Sequence, residues 1–496
     1  MGENPLKKIR GLRDRRASRS DATQGTDQAP LTPRYGVEAR RPRRGRAARA
    51  EKTRRPGLLA RVVNGWWNRL IGAVFGGRLS DETEQYLAHQ TTRDYVCNTL
   101  GQTAWGALFP LLTLVCTWFV GAEQAGLFSM AFTVGTLLLF LANYGVRTYQ
   151  VSDLDEMRSF LDYQVNRLIT CALAFALGWL WCRVRGYDAL MFSTCMGVVV
   201  FRCADGLADV YEGRLQQRDK LYLAGLSQTV RCVLGFVAFT MVLLITRDLA
   251  LACIALAAGA VASLVLLSLP LAYFETERSL PLSLPGVGEL FRECFPLFAA
   301  LFFYNLIDSM PKFAMEGALS YDNQLYYSAM FFPANSILMI AGFVYKPQLV
   351  RLARIWDDPD KHKRFDLLVL AMLAAIALIT VVVAVFMGWL GIPLLSLMYG
   401  IDFEQFRSLT YVMVAAGGIC ACIDFVYQII TVLRAQRQVM RLYLVALAFS
   451  VPVALLLVNF AELSGAVVAS LVSMAILFVL LVSEYATIRR RLERGY

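Results

Sequence analysis

From residue 94 onward the chain is a succession of apolar segments, each near the roughly 20 residues that a helix needs to cross a bilayer. Lipid offers no hydrogen bonds, so a segment that crosses it alone must satisfy its own backbone, and helices do that. The spacing predicts twelve spans. Six lie at 95–120, 124–148, 163–183, 188–212, 219–246 and 248–274. Six more lie at 290–317, 322–346, 364–390, 405–433, 437–460 and 463–487. The segment 391–404, GIPLLSLMYGIDFE, is too broken to span and is expected to form an outer loop or a short re-entrant turn. With 57% hydrophobic and 18% charged residues, against about 25% charged in soluble domains, the class is an all-α polytopic membrane protein.

Charge is distributed unevenly. Residues 1–93 hold 21 Lys and Arg against 9 Asp and Glu, whereas the remainder holds 28 against 29. Residues 1–57 lack apolar periodicity and read as a basic, disordered cytoplasmic extension without a cleavable signal peptide. Anionic lipid headgroups account for such a run beside a membrane more simply than nucleic acid does. Residues 58–93 read as an amphipathic helix lying in the interface, at 58–75, followed by a linker. With residue 94 inside, 21 Lys and Arg fall in inner connections and the C-terminal tail, and only Arg183, Arg185 and Arg247 in outer ones. That bias places both termini in the cytoplasm.

Charges inside the spans are the informative exceptions. Arg202, Asp205, Asp209, Glu212 and Gln216 recur at steps of 3, 4, 3 and 4, which puts them on one helical face. Each charge near the bilayer centre costs about 2.5–3.5 kcal/mol on insertion scales, so the stripe must face protein or a water-filled cavity. Arg231 and Gln228 lie at similar depth in the fifth span, and Arg147 near the inner end of the second. The seventh span carries Asn305, Asp308, Lys312 and Glu316 on one face, and the tenth carries Asp424 and Gln428. A single buried pair would be read as a structural tie between helices. Stripes in both halves of the chain point instead to a continuous polar cavity.

The residues exclude several chemistries. The only histidines, His89 and His362, lie outside the spans, and the eleven cysteines sit in or beside apolar segments as small hydrophobes. No catalytic triad or acidic metal motif is visible, and no long outer loop could hold a glycan; no metal, cofactor or enzymatic activity is expected.

Three stretches carry a resemblance. The run 304–356 contains Pro311, Lys312 and Phe313 in the seventh span and ends the eighth at Lys-Pro-Gln; the run 202–220 reads RCADGLADVYEGRLQQRDK. Together with YGVRTYQVSD at 144–153, they resemble Wzx-type polysaccharide flippases of the multidrug/oligosaccharidyl-lipid/polysaccharide exporter superfamily. Asp308 stands where that family often has Asn, and nothing in residues 1–93 takes part in the resemblance.

The resemblance implies two six-helix bundles, 94–275 and 276–496, around a central cavity. It implies export of undecaprenyl-pyrophosphate-linked oligosaccharide across a bacterial plasma membrane by alternating access. Arg147, Arg202, Arg231 and Lys312 would then meet the pyrophosphate, while Asp205, Asp209, Asp308, Glu316, Asn305, Asp424 and Gln428 would tune the charge or couple a cation. Membrane lipids and other polysaccharide-assembly proteins would be its partners. An ion-coupled small-molecule or drug antiporter of the same fold is the first alternative, and a glycan polymerase or ligase the second.

Overall fold

The computed structural model describes residues 84–493, except 154–155, 278, 280, 357–361 and 434–435. The basic extension at 1–57 and the amphipathic stretch at 58–75 lie outside these residues. Seven helices form the first half: α1 (Glu84–Val120), α2 (Ala122–Asn143), α3 (Val146–Ser152), α4 (Phe160–Val184), α5 (Ala189–Gln217), α6 (Leu221–Thr246) and α7 (Leu249–Glu275). The second half has α8 (Leu284–Met315), α9 (Asp322–Tyr345), α10 (Leu349–Trp356), α11 (His362–Tyr399), α12 (Glu404–Val432) and α13 (Gln436–Glu493).

Among the described residues eleven helices are long and apolar enough to cross a bilayer, the last being the 52 residues Val439–Arg490. A straight helix of that length would run about 78 Å, more than twice the hydrocarbon thickness. The chain breaks at Ala461 and Glu462, where Glu462 takes φ 50° and ψ −129°. The two arms match the separate spans expected at 437–460 and 463–487, which brings the number to twelve.

Polar residues at the helix ends set the boundaries. Ser159 and Asp162 form a reciprocal capping box at the start of α4. Asp188 accepts the Met191 N–H at 2.9 Å to start α5, and Asp248 caps α7 in the same manner. Two expectations needed correction. The segment after residue 390 is no loop: α11 runs through a π-type turn at Met387–Gly391 and stays helical to Tyr399, ending at Gly400 with φ 66°. The second span stops at Asn143, because Tyr144 and Gly145 both adopt left-handed backbone; Arg147 therefore sits on the separate helix α3.

Helix packing is similar in the two halves. In the first, α1 lies against α6, and α5 is enclosed by α2, α4 and α7. In the second, α8 and α12 pack on α13, and α9 and α11 pack on α12. The halves meet where α2 touches α8 and α9 and where α4 touches α8. Large apolar side chains such as Trp389 and Leu397 project outward, as expected where the surroundings are lipid. The molecule is a multi-pass membrane protein of two helical bundles.

Candidate functional site

The stripe on α5 faces inward and closes on arginines from three neighbouring helices. Asp209 lies between Arg147 of α3, at 2.5 Å, and Arg167 of α4, at 2.7 Å. Arg147 also donates to Gln216 at 3.0 Å. Arg231 of α6 reaches Glu212 at 2.5 Å and Asp205 at 2.8 Å. Asp205 in addition accepts the indole N–H of Trp105, from α1, at 2.8 Å. All of these groups but Arg167 line a polar pocket of about 390 Å³ within the first half, together with Asn143 and Gln228.

Four arginines therefore face three carboxylates, and the charge left over falls to Arg202. Its nearest carboxylate is Asp205 at 3.4 Å, an oxygen already held by Trp105. The guanidinium lies instead over the Phe132 ring, 4.3 Å from its centre, with Trp105 and Phe201 at 5.4 and 5.2 Å. One further bond, at 3.1 Å, goes to Thr136 Oγ1. Aromatic faces stabilise a cation through their quadrupole without supplying a counter-charge.

Arg202 also lines a second cavity, of about 210 Å³, between the halves. The second half contributes Asn305, Asp308, Lys312, Tyr327 and Asn335 to this cavity. Lys312 is held much as Arg202 is. Its Nζ donates to Thr133 Oγ1 at 3.2 Å and lies 5.4 Å from the Phe109 ring and 5.8 Å from Tyr327. Among the described residues no carboxylate comes within ion-pair distance of Lys312. Asp308 Oδ1 is buried without a hydrogen-bond donor, and Asn305 turns back to bond its own helix at the Leu301 carbonyl.

Three of the residues singled out from sequence lie elsewhere. Glu316 is at the Arg185 end of the molecule, where Arg185 pairs with it at 2.9 Å and the Tyr187 hydroxyl donates to it. Asp424 accepts a hydrogen bond from the Tyr345 hydroxyl within the second half. Gln428 is half-buried one turn further along α12.

The two ends of the molecule differ. At the Arg185 end the halves are in close contact, with Ser129 Oγ of α2 2.6 Å from Ser328 Oγ of α9. At the Arg147 end they touch through Arg158, bonded to the Gly286 carbonyl and to Glu293, and through Tyr149. Beside those contacts lies a cleft of about 680 Å³ lined by Tyr149, Arg292, Glu293 and Tyr427.

The count of inner charges takes in Arg167, near the start of the span expected at 163–183, yet it is fully buried and completes the Asp209 clamp. The polar run Asp162, Gln164, Asn166 and Arg167 inside α4 was the available signal. Trp105 was missed as well, although Asn98, Gln102 and Trp105 fall on one face of α1 at steps of 4 and 3. Thr133 and Thr136 gave no signal, because isolated threonines in a span are ordinary.

No family model and no curated protein matches the sequence. Solved structures do match. An inward-facing multidrug resistance MATE family transporter of the MOP superfamily superposes with a TM-score of 0.57 at 13% identity, covering 78% of this chain and 96% of that one. The lipid II flippase MurJ, in an inward closed conformation, gives 0.60 at 10% identity, covering 80% and 87%. A MOP superfamily transporter from Pyrococcus furiosus, with a binding pocket of reverse polarity, gives 0.52 at 14% identity, covering 82% and 95%. The chain thus has the two-bundle fold that these MATE, MurJ and other MOP superfamily transporters share.

Proposed function

We propose that this chain is a flippase that carries a lipid-linked oligosaccharide, joined to its undecaprenyl tail by pyrophosphate, across a bacterial plasma membrane by alternating access. The observation that carries the reading is the pair Arg202 and Lys312. One comes from each half, both line the same cavity, and each is held by aromatic rings and a threonine hydroxyl, Arg202 with one long contact to Asp205 at 3.4 Å besides. A cation held in that way keeps its charge for an anionic ligand. The planar guanidinium can engage two phosphate oxygens at once, and the ammonium adds a point charge.

Arg147 and Arg231 already hold carboxylates, so the geometry favours them as supports that orient α5 rather than as direct ligands. The fold supports transport in general, and the shared architecture includes the lipid II flippase MurJ. In this reading both termini are cytoplasmic, the basic extension lies at anionic headgroups, and other polysaccharide-assembly proteins are the partners in the membrane.

The test is flipping of a lipid-linked oligosaccharide in proteoliposomes. Arg202→Ala and Lys312→Ala should each abolish it while the protein stays folded. Ion-coupled efflux of cationic dyes, with no effect on the lipid-linked sugar, would instead favour a drug antiporter.

A further inference from the structure

A lysine four residues after an aspartate on a helix is well placed to close an ion pair with it. Asp308 and Lys312 have that spacing on α8 and line the same cavity, yet they do not pair. Lys312 Nζ reaches across to Thr133 Oγ1 in the other half, and Asp308 Oδ1 is left buried without a donor. Pro311 stands between the two. It has no N–H to give the Ile307 carbonyl, so α8 is locally compliant at the point where the two side chains diverge.

The partner that Lys312 has chosen belongs to a seam. Gly126, Ser129 and Thr133 fall on one face of α2, at steps of 3 and 4, and each meets the second half. Gly126 packs directly against the Tyr321 carbonyl, leaving no room for a Cβ. Ser129 Oγ and Ser328 Oγ share a hydrogen bond, and Thr133 takes Lys312. Any motion that parts the halves at this end removes Thr133 from Lys312.

We propose that Asp308 is the release residue of this cavity: when the seam opens, Lys312 leaves Thr133, closes on Asp308, and cancels the charge that held an anionic ligand. This rests on the reading of the cavity as an anion site given above. With the seam closed, Lys312 has no carboxylate at ion-pair distance among the described residues and Arg202 only the long contact to Asp205 at 3.4 Å, and the ligand binds. With the seam open, Lys312 and Asp308 form an ordinary ion pair within one helix, and the ligand is left with Arg202 alone. A conformational change can release a ligand only if the two states differ in affinity for it, and this exchange of partners supplies the difference. It also accounts for an acidic side chain in a cavity whose ligand is an anion, where it would otherwise only repel.

The experiment is calorimetric binding of inorganic pyrophosphate to the full-length protein in two seam states. A disulfide between Ser129→Cys and Ser328→Cys locks the seam, and Gly126→Leu wedges it open; Asp308→Asn is added to each. The locked protein should bind, and the wedged one should bind at least about tenfold more weakly. Asp308→Asn should recover most of that loss in the wedged protein, a gain at least about fivefold larger than the one it gives the locked protein, where it removes only repulsion.

An equal gain in both states would mean simple charge repulsion by Asp308 and would overturn the proposal. So would equal binding by the locked and wedged proteins, which would leave the anion site itself intact. Absence of pyrophosphate binding in every form would overturn the anion site, and this proposal with it. Should Gly126→Leu fail to fold, Ser328→Leu wedges the same seam from the other side.

Discussion

The indole N–H of Trp105 donates to Asp205 Oδ2 at 2.8 Å, and Trp105 lines both the polar pocket of the first half and the cavity between the halves. It is the partition between a neutralised cluster and a cavity with spare positive charge. By occupying the oxygen nearest Arg202, it keeps that carboxylate from pairing tightly with the arginine.

Replacing Trp105 by Phe keeps an aromatic ring beside Arg202 and removes the donor. A hydrogen bond to a charged group is worth about 1.5–3 kcal/mol, and Asp205 retains Arg231, so the protein should still fold. Arg202 can then close on Asp205 and lose its availability to ligand. Flipping by Trp105→Phe should fall several-fold while membrane abundance changes little. Abundance and flipping falling in parallel would show that Trp105 is only structural.

Arg202 and Asp209 should separate in opposite senses. Asp209→Leu strands Arg147 and the fully buried Arg167 together, and breaking a buried pair costs about 3–5 kcal/mol, so abundance and thermal stability should drop sharply. Arg202→Leu strands nothing, since Asp205 keeps Arg231 and Trp105; it should fold normally and fail to transport. Arg202→Lys should fold normally and flip at a reduced rate, because an ammonium lacks the two-pronged grip of a guanidinium. Melting temperature in detergent, read beside flipping in proteoliposomes, checks all three. Normal transport by Arg202→Leu would remove Arg202 from the site.

The helices were legible because lipid imposes one rule on every span, and the break at Ala461 and Glu462 fell between the two final spans as read from hydropathy. The stripe on α5 was legible for a related reason: charge in an apolar helix must find protein or water. Partners were harder to read. Arg167 sits near a helix end, where an arginine costs little, and only the packing of α4 on α5 draws it to Asp209. The left-handed turn at Tyr144 and Gly145, which swings Arg147 to the same carboxylate, looks in the sequence like the end of any span. Residues 391–399 were misread because Gly391 and Pro393 usually break a helix. Here Gly391 ends a π-type turn, and Pro393 sits in the first turn of the helix that follows.

The loop charges give a topology that labelling can check. Single cysteines replacing Ser320 and Asp402 should react with an impermeant reagent in intact cells, since both follow the ends expected to lie outside. A cysteine at Lys363 should react only after the membrane is opened. Labelling of Lys363→Cys from outside would invert the orientation, and with it the assignment of the Arg185 end as the outer one.

The seam at the Arg185 end yields the last prediction. Ser129 and Ser328 have their hydroxyl oxygens 2.6 Å apart across the two halves, within reach of a disulfide if both become cysteine. If flipping proceeds by alternating access, α2 and α9 must part here once in every cycle. The oxidised double variant should then flip at background rate, and reduction should restore transport. Either single variant should work with or without oxidant, which separates the cross-link from the loss of the serine hydrogen bond. Mass spectrometry would confirm that the bond has formed. A fully cross-linked protein that still flips at the normal rate would mean that the halves never separate at Ser129 and Ser328, and that the ligand leaves by another route.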